Sequence, residues 1–361
     1  MPGRSRSVRS MRRRYHRGGW SDERKNRTFP GTGFPADSGA MTSARILDAL
    51  SLLAEPTAPF HESAVRESIR SRLSGLPGVR LTEDRHGNLL ATYLRGARAP
   101  RWVLCAHMDH PGWVRDPRTR RPTFLGSVPK DRLKEGAVRW FGRFGMWDLP
   151  ALERDGDRIR SRACDDLAGC AAIVAAFEEL SATRARGAVM AAFTIAEEVG
   201  FVGATLLARS GLIPADAVVV SLEASSVLPG VEQGAGPILR VGDRASVFDD
   251  LASARLGEIA GTAGVTFQRR LMTGGTCEGT TYQAHGYRTA ALAVPLGNYH
   301  NLVPGGGIGP ESIHLGDFSA LARWGVAIAS ARPELDRLRA RLRRRLNGPV
   351  TDHRAWLRVR E

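Results

Sequence analysis

The chain has 361 residues, 42% of them hydrophobic, and a net charge of +15, enough for one large domain with a sizeable core. No run of about 18 apolar residues occurs, so no membrane span is expected, and the arginine-bearing N-terminus lacks the apolar stretch and small-residue cleavage site of a secretory signal. Cys105, Cys164, Cys170 and Cys277 form no CxxC pair and suit a reducing cytoplasm better than a disulfide framework.

The charge sits in the tails. Residues 1–40 hold ten Arg/Lys against three Asp/Glu, residues 337–361 nine against two, and the 296 residues between them carry only +1. Lysine occurs at Lys25, Lys130 and Lys134 alone, so the basicity is arginine. The body is nearly neutral, and nucleic acid is not an expected partner; solvated tails explain the balance, with anion binding as the alternative.

Residues 1–40 carry arginine runs and no periodicity, and read as a disordered tail, with Met41 as a candidate biological start. A helix fits Ala44–Ala54, where Ile46, Leu47, Leu50 and Leu53 share a face, and a second fits Glu62–Leu73. Val79–Leu94 alternates like two strands around a turn at Arg85–Asn88. Trp102–Ala106 reads as a short buried strand ending at His107. Residues 113–162, rich in Gly, Pro and Arg, read as a small β-rich insert. Asp166–Leu180 is a helix with a small-residue apolar face. Strands follow at Ala188–Ile195, Ala217–Leu222, Pro237–Val241 and Thr289–Val294, with helices at Gly203–Ser210, Asp249–Ala263 and Cys277–Ala284. Two last helices run from Asp317 to about Ala331 and from Glu334 to about Leu346. Strands alternating with helices predict an α/β fold, a three-layer αβα sandwich with a mixed central sheet. The expected organisation is a catalytic domain over 41–112 and 163–333, the insert at 113–162, and a basic helix and tail over 334–361.

In open α/β sheets ligands sit beyond the carboxyl ends of strands, and polar residues gather there. His107-Met108-Asp109 follows Trp102–Ala106, Glu197-Glu198 follows Ala188–Ile195, Glu223 follows Ala217–Leu222, and His300 comes six residues after Val294. Asp165 and Asp166 open a helix, where the N-terminal amides favour carboxylates. Imidazole and carboxylate together suit zinc or another divalent first-row metal. Two such metals about 3.5–4 Å apart need a bridging carboxylate, and Asp165 is placed to bridge. Asp109 can fix the His107 tautomer. Of the adjacent Glu197 and Glu198, one can bind metal while the other faces the reacting water as a base.

The segments AHMDHPG around His107, ACDDLAGCA around Asp165 and AEEVGFVGA around Glu198 resemble the co-catalytic dizinc aminopeptidases, above all the glutamyl-aminopeptidase or TET-aminopeptidase family. The resemblance runs from about Leu47 to Leu321 and takes in GNLLA at Gly87–Ala91, GAGPILRVGD at Gly234–Asp243 and GGT at Gly274–Thr276. It implies that His107 binds one metal, Asp165 bridges, Glu198 binds the other and Glu197 is the base. Glu223 falls where the family has an Asp ligand, and His300 on its last histidine. It implies two divalent ions, zinc with cobalt or manganese also compatible, and a peptide or amide substrate.

Four departures accompany it. Glu223 is one methylene longer than Asp, Cys277 stands where an Asp follows Gly-Gly-Thr (with Glu278 next to it), and His110 replaces an acidic residue. His300 is followed by Asn301, Leu302, Val303, Pro304 and a glycine run instead of Ser-Pro and a prompt Glu. The insert is shorter than that family's β-domain, so a homo-oligomer is left open without assuming a dodecamer. The sequence thus predicts a cytoplasmic metallopeptidase of aminopeptidase type, with no membrane partner. A related amidohydrolase (a deacylase or carboxypeptidase) and a non-catalytic protein binding anions through its tails are the alternatives.

Overall fold

The computed structural model describes residues 43–357; the Arg-rich segment 1–40 lies outside them. In chain order the elements are α1 (Ser43–Leu50), α2 (Ser63–Leu73), β1 (Val79–Glu83), β2 (Leu89–Arg95), β3 (Trp102–His107), β4 (Gly112–Arg115), β5 (Pro122–Leu125), β6 (Val138–Phe141), β7 (Phe144–Trp147), β8 (Glu153–Asp155) and β9 (Arg158–Ser161). There follow α3 (Leu167–Ala182), β10 (Gly187–Thr194), α4 (Val202–Ala208), β11 (Val218–Ser226), β12 (Ile238–Asp243), α5 (Asp250–Thr262), β13 (Gln268–Met272), α6 (Glu278–Ala284), β14 (Arg288–Leu296), β15 (Glu311–His314), α7 (Leu315–Ser330) and α8 (Leu335–Asp352).

An eight-stranded mixed sheet in the order β1-β2-β10-β3-β11-β14-β12-β13 forms the middle layer. Strands β10, β3, β11 and β14 are mutually parallel. Buried on both faces, they are the near-continuous apolar runs that a central parallel strand requires. Alternation along β3 sends Trp102, Leu104 and Ala106 into one core and Val103 and Cys105 into another. The first core lies under α1, α2, α3, α5 and α7, and the second is closed by Ala204 and Leu207 of α4 and Tyr282 of α6. Helices on both faces make the three-layer αβα fold. Helix α3 is apolar nearly all round because it is buried between the sheet, α1 and α7, and the Asp166 side chain caps it by accepting the N–H of Gly169.

Strands β4–β7 make a separate four-stranded sheet, whereas β8 and β9 pair with β15 in a three-stranded sheet. The chain returning from His300 supplies β15, and that long-range pairing leaves no local sequence signal. Strands β13 and β15 were not foreseen, and α8 runs to Asp352, beyond the expected end near Leu346. No helix among the described residues is long and apolar enough to cross a membrane.

Candidate metal centre

The parallel register brings the polar strand ends together. Thr194 pairs with His107, and Ser221 pairs with Cys105, so Glu223, two residues on, stands level with His107. The Asp165–Asp166 peptide, which is cis, delivers Asp165 from the start of α3. After β14 the chain turns sharply, with Asn298, His300 and Asn301 at positive φ, and carries His300 back over the sheet end.

All the predicted residues meet there, and all but the half-buried Glu197 are buried. Asp165 Oδ1 lies 3.4 Å from His107 Nε2 and Asp165 Oδ2 lies 3.6 Å from His300 Nε2, so one carboxylate faces both imidazoles. Glu198 Oε1 is 3.2 Å from His300 Nε2, and Glu197 Oε2 is 4.0 Å from His107 Nε2. Three sets of side chains have ligand atoms within 4.8 Å of one another: His107, Asp165 and Glu223; His107, Glu197 and Glu198; and Asp165, Glu198 and His300. Asp165 Oδ1, Glu198 Oε1 and His300 Nε2 are buried without a hydrogen-bond partner. Orphaned buried polar atoms are costly, and here they converge, which is what a cation between them would repay. The donor set of imidazole and carboxylate fits such an ion.

Supporting contacts aim the ligands. His107 Nδ1 donates to the carbonyl of Asp109 at 3.0 Å, and His300 Nδ1 donates to the carbonyl of Ser127 at 3.2 Å, which leaves both Nε2 atoms facing the acids. The Asp109 carboxylate, expected to orient His107, stands 3.5 Å from its Nδ1. Its oxygens also accept the N–H groups of Glu197 and Glu198 at 2.9 and 3.1 Å, because the tight turn after β10 points those two amides at it. Glu62 completes that turn: its Oε1 accepts the N–H of Ala196 at 3.0 Å and of Phe60 at 2.8 Å. Ala196 sits at φ 51°, a strained conformation that needs such clamping.

Glu311 is the main residue that the sequence did not reveal. Its Oε1 accepts the His300 N–H at 2.8 Å and its Oε2 the Asp165 N–H at 2.9 Å. The missing prompt Glu after His300 is therefore present but displaced, because residues 302–309 loop out and close on themselves through Leu302–Ile308 and Gly309–Asn301 contacts. The glycine run was the available signal. His110, the departure beside His107, is fully buried, with Nδ1 2.6 Å from the Asp165 carbonyl and Nε2 3.0 Å from Asn301 Oδ1. Glu223 Oε1 accepts the Ser221 hydroxyl at 2.7 Å, which steadies the longer side chain. Cys277 is buried and gives its N–H to Asp243, whereas Glu278 packs behind the site and accepts the Thr194 hydroxyl.

Packing this many acids together perturbs their protonation. Burial, helped by Glu198, Glu223 and Asp109, pushes the Glu197 carboxyl well above its usual range against the opposing pull of His107. For His300, burial opposes the charged ring, but Glu198 and Asp165 outweigh it and raise the group to about 9. Burial opposes the Asp165 carboxylate, yet the His107, His300 and His110 rings hold it below the ordinary value. Burial raises Glu62 and Glu278 each to about 8 and Glu311 to about 7. Such clustering of shifted groups in a cleft marks a functional site.

The cleft above these residues has a volume of about 50 Å³, with His107, Asp165, Glu197 and Glu223 at its floor. Ser225, Leu228, Arg240, Met272, Tyr299 and the Gly274–Thr276 segment form its walls. Arg240 is buried, with one N–H on Ser225 Oγ at 2.9 Å and Nε without a partner.

The family model of the M42 glutamyl aminopeptidases matches residues 130–305. Over those residues the chain is similar to that family. A curated relative from Acetivibrio thermocellus, provisionally named an aminopeptidase, is 30% identical over 155 residues, which is 41% of this chain and 46% of the relative; the match thus spans about half of the relative's length. Among solved structures, the TET1 peptidase of Pyrococcus horikoshii is 22% identical with a TM-score of 0.67, covering 79% of this chain and 99% of its own. An aminopeptidase from Desulfurococcus kamchatkensis is 20% identical with a TM-score of 0.68, covering 81% of this chain and 96% of its own. At these identities the structural likeness establishes the fold.

Proposed function

We propose that the chain is a metal-dependent aminopeptidase with a dinuclear site. The convergence of the unpartnered Asp165 Oδ1, Glu198 Oε1 and His300 Nε2 beside Glu197 carries this reading. His107, Asp165 and Glu223 would hold one ion, and Asp165, Glu198 and His300 the other. The donor set suits zinc, with cobalt or manganese compatible; bound ions would supply Lewis acidity and a water of lowered pKa. Glu197, whose burial raises its proton affinity, accepts the proton of the attacking water and returns it to the leaving amine. Asp109 holds Glu197 and Glu198 through their amides, so base and ligand keep a fixed relation.

Arg240 points to the substrate. A guanidinium lining the cleft fits a carboxylate on the residue being removed, in keeping with an acidic N-terminal residue. The same contact favours a second reading, a carboxypeptidase or N-acyl amino acid deacylase, in which Arg240 receives the substrate's terminal carboxylate. A panel of glutamyl, leucyl and lysyl chromogenic amides set against N-acyl glutamate and C-terminal dipeptides separates them. Turnover of the aminoacyl amides alone supports the aminopeptidase; turnover of the acylated substrates alone sinks it. The TET1 peptidase of Pyrococcus horikoshii assembles into a tetrahedron or an octahedral shell, and a homo-oligomer is part of the reading for this chain. So are a cytoplasmic location, a catalytic body of 41–112 and 163–333, an insert at 113–162 and a separate role for the basic C-terminal segment.

A further inference from the structure

Helix α8 leaves the body of the protein part-way along its length. Leu335 is buried and Leu338 packs against the main core, and Arg341 pairs with Glu258 of α5. From Arg341 to Asp352 every residue but Gly348 is exposed. Leu335, Leu338, Leu342, Leu346 and Val350 recur three or four positions apart, so the apolar stripe that anchors the helix runs on into solvent. Leu346 is 59% and Val350 58% exposed, and beyond the helix Trp356 is 83% and Leu357 57% exposed. The helix carries six arginines against two aspartates. Helical geometry puts Arg343 and Arg345 on the two borders of the stripe and Arg337 and Arg344 on the far face.

A helical stretch this short is marginal when nothing covers it, and Gly348 and Pro349 weaken it further. Its apolar face therefore calls for a partner. A second copy of α8 would oppose arginine rows of like charge. A nucleic acid would engage the arginines but give Leu346, Val350 and Trp356 no apolar environment. An anionic bilayer surface uses both: apolar side chains and tryptophan enter the interface while bordering arginines reach the headgroups.

We propose that α8 and the turn through Trp356 are a membrane-surface anchor for anionic phospholipid. The helix lies on the surface without crossing it, so the sequence expectation of no membrane span is kept while that of no membrane partner is set aside. The proposal is independent of the catalytic reading.

Co-sedimentation of the full chain with vesicles of phosphatidylglycerol and phosphatidylcholine, and with vesicles of phosphatidylcholine alone, tests it. The chain should pellet with the anionic vesicles only. The double change Leu346→Gln and Val350→Gln should weaken that binding by roughly tenfold or more, and Arg343→Gln with Arg345→Gln by about fivefold per arginine at low salt. Hydrolysis of small amides and the circular dichroism of the body should be unchanged, since these side chains contact nothing in the cleft. The idea is overturned if the chain stays in the supernatant with anionic vesicles, or if the Leu346→Gln, Val350→Gln variant pellets as well as the parent. It is equally overturned if that variant changes the oligomeric mass with vesicle binding intact, or if duplex DNA binds more tightly than the vesicles.

Discussion

Glu311 holds the backbone N–H of Asp165 on one carboxylate oxygen, 2.9 Å away, and with the other it holds the N–H of His300. One buried side chain thus fixes both the last histidine and the carboxylate that faces the His107 and His300 imidazoles, which arrive from segments far apart in sequence. Glu311→Ala should remove both contacts and lower metal affinity by about 10–100-fold, with Glu311→Gln intermediate because its amide still offers one acceptor. Metal titration of chelator-treated protein reads this directly. Equal affinity in all three proteins would mean that the strap is irrelevant to the site.

Glu197 is the one acid at the cleft floor that lies outside both proposed ion sites. Glu197→Gln should keep metal stoichiometry while reducing kcat by about 10²–10⁴-fold. Near-parental turnover in a variant with full metal content would remove Glu197 from the base role.

Metal binding should be coupled to proton release. In the metal-free protein Glu198 and Asp165 raise His300 to about 9, so at neutral pH an entering cation must displace a proton from Nε2. Apparent affinity should therefore rise with pH, approaching tenfold per unit, and level off near the His300 value. Calorimetry in buffers of different ionisation enthalpy counts the protons. A pH-independent affinity would show that His300 is already neutral.

Glu278 gives a stability prediction of definite sign. Burial raises its carboxyl to about 8 from an ordinary 4.5, so the fold favours the protonated acid. The stability this contributes is complete below about pH 4.5 and lost as pH rises through about 8. Glu278→Gln, uncharged throughout, should match the parent in mild acid and exceed it in Tm by a growing margin toward pH 8, both measured metal-free. A margin that stays constant with pH would show that Glu278 is ionised in the fold.

Arg240 should govern selectivity. Arg240→Met should lower kcat/KM for a glutamyl amide by about 10–100-fold, the loss of one charge-assisted contact, while sparing a leucyl amide. A uniform loss on both would assign Arg240 to the architecture of the cleft instead.

The legible parts of the molecule were those where one physical demand dominates. Strands β3, β10, β11 and β14 are buried on both faces, so their apolar runs announced them, and their ends pointed to His107, Glu197, Glu198, Glu223 and His300. What escaped notice depended on long-range closure. Strand β13 is an edge strand whose QRRLM segment is mostly exposed, so no alternating pattern marks it. Glu311 is separated from His300 by a loop whose closure only the folded chain reveals. Arg240 lay inside the apolar β12, where sequence shows a strand and only the pocket shows a buried guanidinium. The hold of the Asp109 carboxylate on the Glu197 and Glu198 amides was not legible, because the turn that presents them depends on Ala196 adopting positive φ.

The most direct test is to strip the purified chain of metal, add zinc, cobalt or manganese in measured equivalents, and follow glutamyl amide hydrolysis. Activity should be absent from the stripped chain and rise to a plateau at two equivalents per chain. Full hydrolysis by the stripped chain, or a plateau reached with no bound metal, would contradict a dinuclear site built on His107, Asp165, Glu198, Glu223 and His300.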